Sequence, residues 1–372
     1  MKKSYLMIAA AATLLSACSS NDTFKESGIE NVPISFASQH MEKQTKAELT
    51  TDWLTTNGSK IGVFGYRYAS NDSKTITLFN NEEVTYSSST TPKWSHSNVR
   101  YWDKQAQDQY YFYAYAPFAT TASNTVDFDR TTGFTYKLGS QVFADAAAAA
   151  TIDLCVADDI EQTDYTKVQS TNGLVTFTLR HVLSKLSFKI KKDGFDANHN
   201  VRLTSIKLAA PTCTTASWAQ TNRNDPAGTV SYTGRTNPTD ATTKNITVFE
   251  DSGADTDNGS TIVGEEDVNV TTTASSNDAF KSYIVTPNVA PANPNSVSDS
   301  EKHHFFLEVK YDITYENGTI DSQTAYGNLK LLFEQNNQYI VTIKILANTI
   351  EFDVDQLVGF TDVNVTDDVT VQ

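Results

Sequence analysis

The sequence predicts an all-β fold, two β-sandwich domains in tandem behind an export signal, and three observations carry that expectation. β-branched and aromatic residues dominate the apolar fraction. Of 372 residues 39% are hydrophobic, with 17 Tyr and 19 Phe against 3 Met, the usage that pleated, half-buried surfaces favour. Short alternating runs bounded by Asn, Asp, Ser, Gly and Pro recur along the chain, and no long stretch carries the period of an amphipathic helix. The length suits two domains.

Residues 1–17 open with Lys2 and Lys3 and continue as an apolar run from Leu6 to Ala17. That run is too short to cross a bilayer but suits the core of a signal peptide. Leu15-Ser16-Ala17-Cys18 is a sequence that a lipoprotein signal peptidase accepts. Cys18 is therefore expected to become an acylated N-terminus that holds the protein to the outer membrane at the cell surface. At ~0.8 kcal/mol per buried methylene, several acyl chains give durable anchoring. Residues 18–30 are polar and read as a tether.

The first sandwich is expected over residues 31–170. Val32, Ile34 and Phe36 alternate with polar residues as a strand would, and strand-type runs follow at 61–68 (IGVFGYRY), 75–79, 110–115, 134–138 and 152–156. In 110–115, Tyr111, Tyr113 and Tyr115 alternate with Tyr110, Phe112 and Ala114. This describes a central strand apolar on both faces rather than an exposed platform for sugars. The segment 144–150 is rich in alanine and leans toward helix, but two turns are too few to stand alone, so it reads as a connector.

A polar stretch at 162–172 marks the expected boundary, and the second sandwich is expected over residues 171–372. Its runs lie at 174–179, 182–191 (VLSKLSFKIK), 203–208, 246–249, 282–285, 303–311, 329–333, 339–346 and 350–354. Longer polar segments at 221–244, 251–277 and 288–302 read as surface loops.

A net charge of −15 and a pI near 4.8 argue against nucleic acid as a partner and against electrostatic docking to anionic lipid. The lipid on Cys18 would have to anchor the protein unaided. Beyond Cys18 only Cys155 and Cys213 remain, both in strand-like apolar contexts. A bridge between them is left open, and stability must come from the cores.

The six His, His40, His96, His181, His199, His303 and His304, are scattered without metal-ligand spacing. The adjacent pair His303 and His304 would point to opposite faces of a strand. His181 reads as a hydrogen-bonded structural residue. Asp255, Asp257 and Glu266 are spaced a little like a calcium loop, but Gly259 and Ser260 fit its pattern poorly, and a solvated loop is the expected reading. No nucleophile elbow, phosphate loop or dinucleotide fingerprint occurs. No catalytic residue, cofactor or metal is expected.

Several local patterns in succession resemble the fimbrillin family, the Mfa-like pilins and accessory subunits of type V pili in Bacteroidales. They are Thr45-Lys46-Ala47, Ile61-Gly62-Val63-Phe64, Tyr101-Trp102, Tyr111-Phe112-Tyr113-Ala114-Tyr115-Ala116-Pro117 and Asp153-Leu154-Cys155-Val156-Ala157. His181-Val182-Leu183-Ser184-Lys185-Leu186, Ile206-Lys207-Leu208 and Tyr283-Ile284-Val285-Thr286-Pro287 complete the series. The resemblance implies two transthyretin-like sandwiches, a lipoprotein at the outer membrane surface, and assembly with other pilus subunits. Adhesion to a host surface protein or glycan would be a further role.

It also implies that a trypsin-like protease removes the first strand, whose groove then accepts an extended segment of a neighbour by β-augmentation. Lys43 and Lys46 are the candidate cleavage positions. Arg stands there in pilins processed by an arginine-specific protease, whereas the first Arg of this chain is Arg67. Residues 361–372 read as a candidate donor strand, with Val363, Val365, Val369 and Val371 on one face and Asp367 intruding. An edge strand of its own domain, or a frayed acidic tail, is the competing reading. The functional alternative is a monomeric surface lipoprotein that binds glycan or host protein through the loops of the second domain.

Overall fold

A computed structural model describes residues 32–38, 54–68, 75–103, 109–120, 125–145, 152–157, 160–163, 165–169, 172–195, 198–223, 227–240, 242, 244–251, 262–263, 268–269, 282–288, 297–346, 349–358 and 366–368. Strands dominate them. The first are β1 (Ser35–Ser38), β2 (Lys60–Tyr68), β3 (Thr75–Tyr86), β4 (Trp94–Ser95), β5 (Gln109–Ala116), β6 (Val126–Asp129), β7 (Gly133–Gly139) and β8 (Phe143–Asp145). β9 (Cys155–Ala157), β10 (Ile160–Thr163), a helical turn α1 (Tyr165–Val168), β11 (Leu174–Phe177) and β12 (Leu179–His181) lead into the second half. That half begins with β13 (Ser184–Asp193), β14 (Asn200–Ala209), β15 (Thr215–Gln220), β16 (Gly228–Thr233), β17 (Ile246–Glu250), β18 (Ile262–Val263), β19 (Val268–Asn269) and β20 (Ser282–Val285). The last are β21 (His303–Thr314), β22 (Ile320–Leu331), β23 (Asn337–Leu346), β24 (Ile350–Val358) and β25 (Thr366–Asp368).

The first half is built around one sheet of order β12-β9-β5-β2-β3-β4, with β10 also paired to β5. Its central strand β5 is apolar on both faces, as its composition requires. Tyr110, Phe112, Ala114 and Ala116 join a core that includes Val32, Ile34, Phe36, Phe79, Trp102 and Phe177. Tyr111, Tyr113 and Tyr115 join a second core with Phe64, Phe134, Tyr136, Leu154 and Trp218. Aromatic rings on both faces need room. At Gly62 a Cβ would come within 2.2 Å of the Tyr115 ring, so no larger residue fits beneath it.

The second core is closed by a sheet of order β16-β15-β7-β6. Trp218 of β15 pairs in register with Tyr136 of β7 and Val230 of β16. This sheet joins strands from the two series, β6 and β7 from the first and β15 and β16 from the second. Residues 221–244, expected to be a surface loop, contain β16, because Val230 and Tyr232 cover Trp218 and its surroundings. The expected helical connector at 144–150 likewise begins as strand: β8 pairs with β20 through Tyr283 and Asp145, and residues 146–150 lie outside the described residues. The backbone bonds gained in a ladder outweigh a propensity that two alanine-rich turns cannot sustain.

The second half packs a sheet of order β25-β24-β23-β13-β20-β8 on one of order β17-β14-β21-β22. Leu186, Phe188 and Ile190 of β13 meet Leu307, Val309 and Tyr311 of β21 and Val341 and Ile343 of β23 in the largest core. Pairing also runs across the expected domain boundary. β11 pairs in parallel with β1, and β12 pairs with β9, so residues 174–181 lie with the first series of strands.

Candidate functional site

The first strand is enclosed by segments far from it in the chain. Its backbone is bonded on both sides. On one side β1 runs parallel to β11, Ser35 opposite Leu174 and Ser38 opposite Phe177. On the other, the Ile34 N–H donates to the Arg100 carbonyl (2.7 Å) and the Trp102 N–H donates to the Val32 carbonyl (3.0 Å). The strand therefore fills a slot between two walls.

Period-2 alternation sends Val32, Ile34 and Phe36 into the core. Phe36, 1% exposed, sits in a cage of rings. Phe79 and Phe112 present edges at 5.2 and 5.6 Å, Phe177 stacks at 5.7 Å, and His96 is tilted at 5.4 Å. The Val32 seat is shaped by Trp102 and Gly173. Gly173 has φ +81, a left-handed backbone that excludes most side chains, and a Cβ there would lie 2.7 Å from Val32 Cγ1. Trp102 Nε1 donates to the Gly173 carbonyl at 3.0 Å, tying the two walls together beneath the strand.

One wall is held by a buried carboxylate. The Ser97 N–H and hydroxyl and the Asn98 N–H donate to Glu82 Oε1 at 3.1, 3.1 and 3.0 Å, and Asn98 Nδ2 donates to Oε2. Burial by itself would raise the Glu82 pKa, but the bonds from Asn98 and Ser97 outweigh it and hold the carboxyl below its usual range. Sequence reading missed Glu82, because an acid among strand residues looks like a solvated side chain until the 95–100 loop closes over it.

A second polar cluster lies where β9 meets β12. His181 and Cys155 are direct cross-strand partners. His181 Nδ1 lies 2.9 Å from Asp153 Oδ1 and 3.3 Å from Cys155 Sγ, all three buried. A carboxylate only accepts, so the Nδ1–H donates to it. Nitrogen, sulfur and oxygen donors within 4.8 Å of one another are also a set that a metal ion uses. With Nδ1 facing Asp153 and Cys155, the trio is a buried hydrogen-bonded cluster, in keeping with the expectation of a hydrogen-bonded His181. No disulfide joins Cys155 and Cys213.

His303 and His304 do point to opposite faces. His303 is buried, its Nε2 2.9 Å from the Thr286 carbonyl, while His304 Nε2 lies 2.7 Å from the Asp299 carbonyl at the surface. Burial, reinforced by the positive charge of Arg235, pushes the His303 pKa down to about 3.

The remaining expected site residues, Cys18, Lys43, Lys46, Val363, Val365, Val369 and Val371, lie outside the described residues, as do Asp255, Asp257 and Glu266. Between the tail valines, β25 pairs antiparallel with β24, Asp367 opposite Val354. Among the described residues no helix is long and apolar enough to cross a membrane.

These features define a class: an all-β protein of packed sheets whose first strand is bonded along both edges. Residues 45–355 match the model of the Fimbrillin-like family, and the chain belongs to that family. Its fold is that of a fimbrial protein from Bacteroides vulgatus (TM-score 0.54, 15% identity, covering 89% of this chain and 100% of that one). A Bacteroides uniformis protein named for a role in cell adhesion aligns at TM-score 0.44 and 17% identity, covering 90% of this chain and 99% of that one. The tip fimbrial protein Mfa3 from Porphyromonas gingivalis aligns at TM-score 0.30 and 12% identity, over 81% of this chain and 94% of that one. Among curated proteins none matches the chain.

Proposed function

We propose that this protein is a non-catalytic subunit of a type V pilus, carried to the outer membrane as a lipoprotein through Cys18 and assembled by strand exchange. Membership of the fimbrillin-like family supports the pilus role. The observation that carries the exchange mechanism is the seating of Val32 to Ser38. This short segment is bonded along both edges and buries three alternating side chains. Once severed from the rest of the chain, such a strand is replaceable by any extended segment of like pattern.

Cleavage after Lys43 or Lys46 would release it. The tail valines Val363, Val365, Val369 and Val371 would serve as the donor face toward another subunit. Two sandwiches, 31–170 and 171–372, remain the domain division we favour, with β11 and β12 returning to complete the first.

The test is direct. The chain from residue 18, with Cys18→Ser, is nicked lightly with trypsin and incubated with a synthetic peptide of residues 31–38. Native mass spectrometry is expected to show the peptide replacing the N-terminal fragment in nicked protein but not in intact protein. Nicked protein that takes up no peptide would overturn the exchange mechanism.

A further inference from the structure

The slot has three side-chain seats in series, and they differ in size. The first holds Val32 beside Gly173 and Trp102, the second Ile34, and the third an aromatic ring enclosed by Phe79, Phe112 and Phe177. Edge-to-face and stacked rings at these distances are selective for another flat ring, and a smaller side chain there leaves a cavity that the rigid neighbours cannot fill.

The chain's own tail does not match this series. With its valine face inward, residues 361, 363 and 365 place Thr, Val and Val in the three seats, and residues 367, 369 and 371 place Asp, Val and Val. Intermediate registers put Asp367 in the second seat or in the aromatic one, where a short carboxylate among Phe79, Phe112 and Phe177 leaves the rings unfilled and has only His96 beside it. The opposite face is polar throughout: Asp362, Asn364, Thr366, Asp368 and Thr370.

The one aromatic residue of 356–372 is Phe360. Seating it third would require Gln356 and Val358 in the first two seats. Both are already in the β23–β24 ladder, opposite Tyr339 and Asn337. The tail alternates as a strand would, but its side chains do not match this slot.

We propose that the slot is specific for an extended segment with the pattern aliphatic–x–aliphatic–x–aromatic supplied by a different subunit, and that it excludes the tail of a second copy of this chain. The proposal rests on the strand-exchange reading above. It makes the chain a member of a mixed assembly and not a self-polymer, and it assigns Phe79, Phe112 and Phe177 as the residues that choose the donor.

The experiment uses the nicked chain and competing peptides followed by native mass spectrometry and labelled-peptide anisotropy. The expected result is that the 31–38 peptide enters, that the same peptide with Phe36→Val binds at least ~30-fold more weakly, and that a 361–372 peptide fails to compete at about 100-fold excess. Equal binding of the tail peptide would overturn the proposal, as would a ladder of nicked chains on a non-boiled denaturing gel that vanishes when residues 361–372 are deleted. Failure of every peptide, the native one included, instead rejects strand exchange. The aromatic seat is then judged in the intact chain, where no exchange occurs. Phe36→Val must lower the denaturation midpoint clearly more than Ile34→Val, and equal effects would overturn the assignment of an aromatic-selective seat.

Discussion

Single side chains set conditions that the strands alone do not. His303 is 0% exposed, and its pKa is pushed from 6.5 to about 3 by burial first and the Arg235 charge second. The unfolded chain takes up a proton below pH 6.5 and the folded chain does so only near 3, so stability is full above 6.5 and falls as pH drops through that window. At pH 5 the loss from this residue comes to about 2 kcal/mol. Urea midpoints at pH 7.5 and 5.0 should therefore differ more in the native chain than in a His303→Gln variant. A slope unchanged by the substitution would assign the pH effect elsewhere. Asp153 and His181 are buried and 2.9 Å apart, so Asp153→Ala removes the acceptor that faces the imidazole. It is expected to cost about 2 kcal/mol, against roughly 1 kcal/mol for Cys155→Ala, which removes a small buried thiol. Chemical denaturation of both variants measures the difference.

At the scale of elements, the slot of β1 depends on a wall that is a loop and not a strand. Glu82 holds that loop with bonds from Ser97 and Asn98. Glu82→Ala removes all of them from a buried position, a loss of about 2 kcal/mol or more. In nicked protein this should speed release of the first strand, on the order of tenfold, as followed by fragment dissociation. An unchanged rate would mean that the β11 wall by itself controls release. β11 contributes the parallel ladder from Leu174 to Phe177 and, through Phe177, one ring of the third seat. The same strand thus supplies both the ladder beside β1 and part of the ring cage around Phe36.

For the whole molecule, the β16-β15-β7-β6 sheet and the β8–β20 pair tie the two sandwiches into shared sheets. The core behind β5 draws on Phe64, Phe134 and Trp218 together with Val182, Leu183 and Ile284, residues from both series of strands. Force along a pilus would pass through this packed junction instead of a flexible linker. Trp218→Ala opens a cavity where these strands meet, and about 3–5 kcal/mol of stability should be lost. Because the junction is continuous, both sandwiches should unfold in one calorimetric transition. Two separated transitions in the native chain would show that the halves are energetically independent.

The sequence by itself determined the all-β class, most of the core strands and most of their inward faces. Val32, Ile34 and Phe36 as an inward apolar face, Tyr110 to Tyr115 as a doubly buried strand and His181 as a hydrogen-bonded residue were all legible. Period-2 alternation records burial one residue at a time, and it needs no knowledge of the partner. Only the tertiary structure decided what covers each face. β15 and β16 cross to β7, β8 leaves its neighbours for β20, and β11 and β12 turn back to the first sandwich. Lys185, on a face that alternation marks as polar, is 1% exposed. Glu82 becomes an anchor only when the 95–100 loop folds over it. Such pairings depend on complementarity between strands far apart in the chain, and short mixed segments such as β16 carry too few apolar residues to announce them. The cage of Phe79, Phe112 and Phe177 follows the same logic. Each ring is visible in the sequence, but their convergence on one seat exists only once three strands have been brought together.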